Sequence, residues 1–90
     1  MRITWHASKA AANLIKHGVT FEEAATALAD PLSATGCDPD HSNGELRFLT
    51  LGVSSAGRSL IVAHTDDAGT IRIISARVMT RREREIYEES

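Results

Sequence analysis

Apolar residues in the first third of the chain recur at the spacing of a helix. One stripe of them is expected to face a core and holds Ala7, Ala10, Ala11 and Leu14. Gly18 is expected to end this first helix, because glycine readily adopts the left-handed conformation that follows a last turn. Lys16 and His17 then lie at the negative end of the helix dipole. The pattern therefore predicts a helix that ends in two basic side chains.

A second helix is predicted directly after the first. Thr20 precedes Glu23 by three residues, which is the spacing of a capping box. The apolar stripe of this helix comprises Phe21, Ala24, Ala25 and Leu28. Asp30-Pro31 ends the helix, because proline disfavours helical backbone at the residue before it. With a short strand at Met1–Trp5, these segments predict the order β-α-α.

From residue 46 onward, short runs rich in apolar and β-branched residues are separated by turn residues, which is the pattern of successive β-strands. The predicted strands are Leu46–Val53, Arg58–Thr65 and Thr70–Val78, with a short strand at Leu32–Thr35 before a polar loop. Thr80 and Glu83 repeat the capping-box spacing and begin a last helix that reaches about Glu89. Residues 1–90 are thus predicted as one α+β domain, β-α-α followed by an antiparallel three- to four-stranded sheet and a C-terminal helix. We expect the helices on one face of the sheet and a polar working surface on the other.

Composition excludes several classes of protein. The net charge of −2 argues against a general binder of polyanions. The single cysteine, Cys37, excludes an internal disulfide and a cysteine-based zinc site. No apolar run approaches the roughly 18 residues that span a bilayer, and the first residues contain no apolar signal-peptide core. We therefore expect a cytoplasmic protein that does not engage a membrane.

Positive charge is concentrated near the end of the chain. The segment Arg72–Arg84 holds one acid, Glu83, and five arginines: Arg72, Arg77, Arg81, Arg82 and Arg84. Strand alternation puts Arg72 and Arg77 on opposite faces unless a bulge intervenes. Arg47 falls on the same face as Leu49 and Leu51 in the first of the three strands. The segment is therefore expected to contribute part of a site rather than one continuous patch.

These residue types suit the cleavage of RNA without a metal ion. In that reaction the 2′-hydroxyl attacks the neighbouring phosphate, so the protein must move protons and stabilise negative charge. The planar fork of arginine binds phosphate oxygens, and histidine titrates near neutral pH. The spacing Asp38-x-Asp40-His41 is compatible with a metal site, but a turn-rich loop explains the same residues, and we expect no metal and no cofactor.

Each candidate also has a structural interpretation. Lys16 and His17 suit a helix terminus as well as an active site. Arg47 and Arg77 are either ligands of phosphate or partners of nearby acids. His64 is expected to be a buried, hydrogen-bonded sheet residue. The arginines of the last helix suit either a solvated face or a contact with RNA or protein, and Tyr87 is expected to anchor that helix.

Three ordered blocks of the sequence carry a resemblance to a known family. The first block is Trp5, Lys9, Asn13, Lys16-His17-Gly18-Val19 and Phe21 to Ala24. The second is Asp30-Pro31, Arg47-x-x-x-Leu51-Gly52 and Gly57-Arg58. The third is Arg72-Ile73-Ile74-Ser75-Ala76-Arg77 with Thr80, Arg82-Glu83-Arg84 and Tyr87. The chain resembles the BrnT family of type II toxins over essentially its whole length.

The resemblance implies a RelE-like fold and a ribonuclease that blocks translation. It also implies a BrnA-like antitoxin that covers the site in a hetero-oligomer and binds operator DNA itself, so that the toxin reaches DNA only through its partner. The catalytic positions would be Arg77 and Arg47 for phosphate charge, with Lys16 or His17 for proton transfer or positioning. Arg81, Arg82 and Tyr87 would contact RNA or the antitoxin. The choice of general base stays open.

One position departs from the family. His6 stands where the family has Asp, and histidine is a poor helix cap, so Ser8 is expected to cap the first helix instead. A catalytically inactive RelE-like binding module that regulates an operon is the alternative function, because no catalytic dyad is recognisable in the sequence. Binding of nucleic acid without cleavage is disfavoured by the low net charge.

Overall fold

The protein folds as an α+β domain, as predicted. This computed structural model describes residues 2–38 and 45–89. The elements in chain order are β1 (Arg2–Trp5), α1 (Ala7–His17), α2 (Phe21–Leu28), β2 (Ala34–Cys37), β3 (Arg47–Val53), β4 (Ser59–Asp67), β5 (Thr70–Val78) and α3 (Arg81–Glu89). The predicted order of helices and strands is confirmed, and the strand bounds differ from the predicted ones by no more than a few residues.

The five strands form one mixed sheet in the order β1-β5-β4-β3-β2. Strands β2 to β5 are antiparallel and correspond to the predicted meander with its short additional strand. Strand β1 joins the other edge and runs parallel to β5, with Trp5 opposite Ile73. This parallel contact was not predicted, because nothing in a four-residue segment indicates its pairing partner.

The core lies between α2 and one face of the sheet. It consists of Val19, Phe21, Ala24, Ala27, Leu60, Val62, Ile73 and Ala76, all essentially inaccessible to solvent. Trp5 packs edge-on against Phe21, with ring centroids 6.0 Å apart. The stripe predicted for α2 is therefore confirmed at Phe21 and Ala24, while Ala25 and Leu28 are only partly buried against the core.

Gly52 permits the close approach of α2 to β3. A Cβ atom at this position would lie 2.5 Å from the carbonyl oxygen of Ala27. That distance is far below van der Waals contact, and the atom it would meet belongs to the backbone. The glycine that the sequence contains after Leu51 is therefore required by helix–sheet packing.

The stripe predicted for α1 is confirmed at Ala10, which packs against the core, and is wrong for the rest of its residues. Asn13 is the buried residue of this helix, whereas Leu14 is 48% exposed and Ile15 is 89% exposed. The reason lies in β1, which pairs with β5 only as far as Ile73. Beyond that point α1 takes the place of a neighbouring strand, and the Asn13 amide bonds both the N–H and the carbonyl oxygen of Ala76, at 3.0 and 2.8 Å. A polar residue is buried because it completes the sheet edge.

The start of α1 also differs from the expectation. Its N-cap is His6, and the His6 side chain makes no capping hydrogen bond with the first turn of the helix. Ser8 lies within the first turn, so the expected capping by Ser8 is wrong. The helix ends as predicted at Gly18, whose φ of +68° is the left-handed conformation.

A β-bulge in β5 changes which face its arginines occupy. Ser75 pairs with Ala63 and Ile73 pairs with His64, so Ile74 is the extra residue. Arg72 and Arg77 consequently lie opposite Thr65 and Ile61, which are on the same face of β4. The prediction put the two arginines on opposite faces unless a bulge intervened. The bulge is present, and both arginines lie on the face away from α2.

That second face, called the open face below, is partly covered by α3. Glu83 and Tyr87 of this helix lie beside Leu51 and Ile61, which are side chains of the open face. The expectation that all helices share one face is therefore wrong for α3. No residue of α3 is buried, and its attachment depends on the polar contacts described below.

Candidate active site

A cleft of about 350 Å³ lies on the open face, between the end of α1 and the start of α3. Its polar lining consists of His17, Asp38, Arg47, Ser75, Arg77 and Glu83. Apolar side chains from β3, β4 and β5 form its floor. Three of the four residues predicted as catalytic, Arg77, Arg47 and His17, therefore line one cavity.

His17 reaches the open face because α1 closes the edge of the sheet. Asn13 holds the helix against the backbone of Ala76, and His17 lies one turn further along the same side. Its neighbour Lys16 is exposed and lines a second, adjoining groove rather than the cleft. The structure thus separates the two basic residues that the sequence treats as alternatives.

Arg77 is bound by a carboxylate of α3. Its two terminal nitrogens each donate to one oxygen of Glu83, both at 2.8 Å. Glu83 also accepts from the backbone N–H of Thr80, and its own N–H donates to the Thr80 hydroxyl. This is the predicted capping box, and the same carboxylate both caps α3 and neutralises the cation of the cleft.

These contacts fix the charge state of the pair. The hydrogen bonds from Arg77, followed by that from the Thr80 N–H, lower the pKa of Glu83 to about 2. The same contact with Glu83 raises the pKa of Arg77. Both groups are therefore ionised near neutral pH, and Glu83 is a weak proton acceptor. An incoming phosphate has to compete with this carboxylate for Arg77.

Arg47 forms the far wall of the cleft, at the start of β3. It lies opposite Thr65 and on the same face as Leu49 and Leu51, as predicted. Within residues 2–38 and 45–89 its side chain makes no ion pair. Asp38, 7% exposed, lines the cleft as well. The Asp40 and His41 of the possible metal spacing lie outside the described residues.

The other predicted contact residues lie outside the cleft. Arg81 and Arg82 are exposed on α3, and Arg81 pairs with Glu85 at 3.3 Å. The Tyr87 hydroxyl donates to the carbonyl oxygen of Leu32 at 2.8 Å, which anchors the helix as expected. Arg72 pairs with Glu45 at 2.7 Å in a separate depression. Although the bulge puts Arg72 on the open face, it does not share a site with Arg77.

His64 has the structural role that was expected. It is 3% exposed, and its Nε2 lies 2.7 Å from the hydroxyl of Thr50, which in turn lies 2.7 Å from that of Thr35. Its Nδ1 lies 3.3 Å from the carbonyl oxygen of Thr65. Burial lowers the pKa of this imidazole. His64 therefore belongs to the face that packs against the helices and does not contribute to the cleft.

The sequence also matches a family of known proteins. The sequence model described as "Ribonuclease toxin, BrnT, of type II toxin-antitoxin system" matches residues 5–83. The chain belongs to the BrnT family. The family resemblance carried by the three sequence blocks is thus confirmed, and with it membership of a family of type II ribonuclease toxins. Such membership implies an antitoxin as partner.

A solved structure shares the fold. The 1.1 Å crystal structure of the Brucella abortus ribonuclease toxin BrnT superimposes with a TM-score of 0.65. The two chains are 20% identical, and the alignment covers 90% of this chain and 99% of the other. At this identity the likeness concerns the fold. No curated protein sequence matches the chain significantly.

Sequence reasoning missed the contact between Glu83 and Arg77 and the bulge that shapes the cleft. Glu83 was assigned to the cap of α3, and its contact with Arg77 was not foreseen. The signal was present, because a capping-box glutamate points back toward the residues that precede its helix. The bulge at Ile74 had no comparable signal, since isoleucine is an ordinary strand residue.

The described part of the chain contains no helix long and apolar enough to cross a membrane. Residues 2–38 and 45–89 also bring together no group of three His, Cys, Asp or Glu side chains suited to a metal ion.

Proposed function

We propose that the cleft cleaves RNA without a metal ion, by attack of a 2′-hydroxyl on the adjacent phosphate, and that this inhibits translation. One observation carries the proposal. In a chain of the BrnT family, an imidazole from α1 and guanidinium groups from β3 and β5 line a single cavity. An imidazole and two cations are the groups that this reaction requires.

His17 is the proton-transfer group in this proposal. It provides the one imidazole among the described residues of the cleft, and an imidazole can both accept and donate a proton. Arg77 and Arg47 stabilise the negative charge that develops on the phosphate oxygens. The 2′-oxygen forms a bond to phosphorus and loses its proton, while the bond to the 5′-oxygen breaks and that oxygen gains a proton. The products are a 2′,3′-cyclic phosphate and a 5′-hydroxyl.

Glu83 does not act as the base. Its pKa of about 2 leaves it ionised but weakly basic, and Arg77 occupies both of its oxygens. We propose instead that substrate phosphate displaces it from Arg77, so that the guanidinium exchanges one anionic partner for another.

The proposed partner is a BrnA-like antitoxin that covers the cleft in a hetero-oligomer. Operator DNA would be contacted by the antitoxin and not by this chain, and Arg81, Arg82 and Tyr87 on α3 are proposed to contact RNA or the antitoxin. The exposed basic side chains of α3 support this assignment. The site of action is proposed to be the cytoplasm, where RNA and the ribosome are found.

The test is cleavage of a labelled RNA by the purified protein with excess EDTA present. We expect Arg77→Ala and Arg47→Ala each to lower the rate by about a hundredfold, as loss of a charge-stabilising group does. Arg84→Ala, which removes an exposed arginine outside the cleft, should cleave normally. Thermal unfolding of each variant checks that it folds. Wild-type protein that leaves RNA intact, or loses activity on addition of EDTA, contradicts the proposal.

The binding module without catalysis remains the second candidate, and one observation favours it. Arg77 is already paired with a carboxylate in the unliganded protein. Under this alternative, induced expression would not arrest growth, yet the chain would still bind its antitoxin. Growth arrest that is relieved in Arg77→Ala and Arg47→Ala variants excludes it.

A further inference from the structure

A second groove continues from the cleft onto α1. It encloses about 230 Å³ and is lined by Lys9, Ala12, Asn13, Lys16, His17, Ile74 and Ser75. Three of these residues, His17, Ile74 and Ser75, line the cleft as well. The cleft and the groove therefore form one path that leaves the open face beside the bulge and passes around the sheet edge.

Both lysines of the chain line this groove. Lys9 and Lys16 are seven residues apart on α1, which is two helical turns and about 10 Å along the axis. At this spacing the two side chains project from the same side of the helix. Lys16 lies at the end that adjoins His17, and Lys9 lies further from the cleft.

The groove carries positive charge that no acid among the described residues neutralises. None of its lining residues is acidic, and neither lysine forms an ion pair within the described residues. The cations that do pair with carboxylates elsewhere in the described structure are Arg58, Arg72, Arg77 and Arg81. In a protein with a net charge of −2, an unneutralised groove of this kind attracts an anionic ligand.

We propose that this groove holds the phosphates that flank the scissile one, first at Lys16 and then at Lys9. The substrate is then a single-stranded RNA of at least three nucleotides. A single strand follows a path that bends around a sheet edge, whereas a straight, stiff duplex does not. The assignment rests on the proposed ribonuclease function. It adds the substrate class and the contacts of the flanking phosphates along α1, and it applies to either direction of the RNA strand.

The experiment compares a ten-nucleotide single-stranded RNA with a dinucleoside monophosphate, which has only the scissile phosphate. Lys9→Gln should lower kcat/KM on the ten-nucleotide RNA by about fivefold, since it removes one phosphate contact. On the dinucleotide the same variant should match the wild type. Arg2→Gln, which removes an exposed cation outside both cavities, is the matched control and should change neither value.

Salt dependence gives a second readout that does not need cleavage. Binding of the ten-nucleotide RNA is measured by fluorescence anisotropy between about 50 and 300 mM salt. Each phosphate contact to a single strand contributes about −0.7 to the slope of log K against log salt. The slope should therefore weaken by about 0.7 in Lys9→Gln and by about 1.4 in the Lys9→Gln, Lys16→Gln double variant.

The outcomes separate the two proposals. If both lysine variants retain the wild-type slope while the wild type cleaves RNA, the groove assignment is overturned and the ribonuclease stands. Equal loss on the two substrates in Lys9→Gln also overturns it. If the wild type cleaves neither substrate, the ribonuclease proposal fails, and the anisotropy slopes still decide whether the groove binds RNA. A change confined to antitoxin binding would identify the groove as a protein interface.

Discussion

At the scale of single residues, the carboxylate of Glu83 makes two functionally different contacts. It caps α3 through the N–H of Thr80, and it neutralises Arg77 in the cleft. Because one carboxylate makes both contacts, the attachment of α3 is coupled to the charge of the cleft. Under the proposed function, substrate phosphate and Glu83 of α3 therefore compete for the Arg77 guanidinium.

We predict that Glu83→Gln increases affinity for RNA. Glutamine can still accept from Thr80, but it no longer neutralises Arg77, so the KM for RNA should fall by about fivefold, equivalent to about 1 kcal/mol. Steady-state cleavage kinetics measure this. Glu22→Gln is the matched control, since it removes an exposed carboxylate of α2, which lies on the opposite face of the sheet. A KM equal to that of the wild type would mean that Glu83 does not compete with substrate.

The individual site residues were predictable to different degrees. Arg77, Arg47 and His17 were identified from charge, alternation and family resemblance, and all three line the cleft. Lys16 could not be separated from His17 in sequence, because adjacent helical residues point about 100° apart and only the packing of α1 decides which one faces the sheet. The partner of Arg77 was missed, because its side chain meets Glu83 only after α3 folds back over the open face.

At the scale of elements, the register and edges of the sheet explain where the predictions failed. The strands were predictable because β3, β4 and β5 are runs of apolar and β-branched residues bounded by turn residues. The buried side of α1 was not, since an asparagine that completes a sheet edge looks polar in sequence. Its burial follows from the pairing of β1 with β5, which ends at Ile73 and leaves the rest of that edge to α1.

We predict that Asn13→Ala lowers the free energy of unfolding by about 2–4 kcal/mol. The change removes hydrogen bonds to Val19 and Ala76 and leaves buried backbone groups without partners. Chemical denaturation measures the loss. Ser8→Ala, at an exposed position of the same helix, should stay within about 0.5 kcal/mol of the wild type. Equal stability of the two variants would refute the edge-closing role of Asn13.

We predict that Gly52→Ala destabilises the contact between α2 and β3 by about 1–3 kcal/mol, because the added methyl group overlaps the carbonyl of Ala27. Gly36→Ala is the control. A Cβ atom at position 36 of β2 meets nothing within 4 Å, so the same chemical change should be nearly neutral there. Thermal unfolding of both variants distinguishes a steric cost from a general effect of replacing glycine.

At the scale of the whole molecule, four titrating groups act on stability in the same direction. Glu83 is held ionised by Arg77, Glu23 by its hydrogen bond from Arg58, and Asp30 by the N–H groups of Val53 and Leu32, so each pKa is lowered. Burial of His64 lowers its pKa too. In each case the unfolded chain binds a proton more readily than the folded protein, so acid favours unfolding.

We therefore predict that the free energy of unfolding falls in two stages as the pH is lowered. Below about pH 6.5 the unfolded chain gains a proton at His64, and below about pH 4.5 it gains protons at the carboxylates, with the contribution of Glu83 lost as pH falls toward about 2. Glu83 should account for about 1–2 kcal/mol once solvent screening of its partly exposed pair is included. Denaturation midpoints measured from pH 3 to 8 test this. His64→Gln should remove the upper stage alone; persistence of that stage would assign it to another histidine.

The two lysines have a practical consequence for the handling of this protein. Reagents that acylate side-chain amines, such as the esters used to attach dyes or to immobilise proteins on sensor surfaces, can react at only two side chains, and both belong to α1. Apart from the α-amino group, conventional amine coupling would therefore modify one side of one helix. The exposed thiol of Cys37 on β2 offers a single attachment point that leaves those amines unmodified.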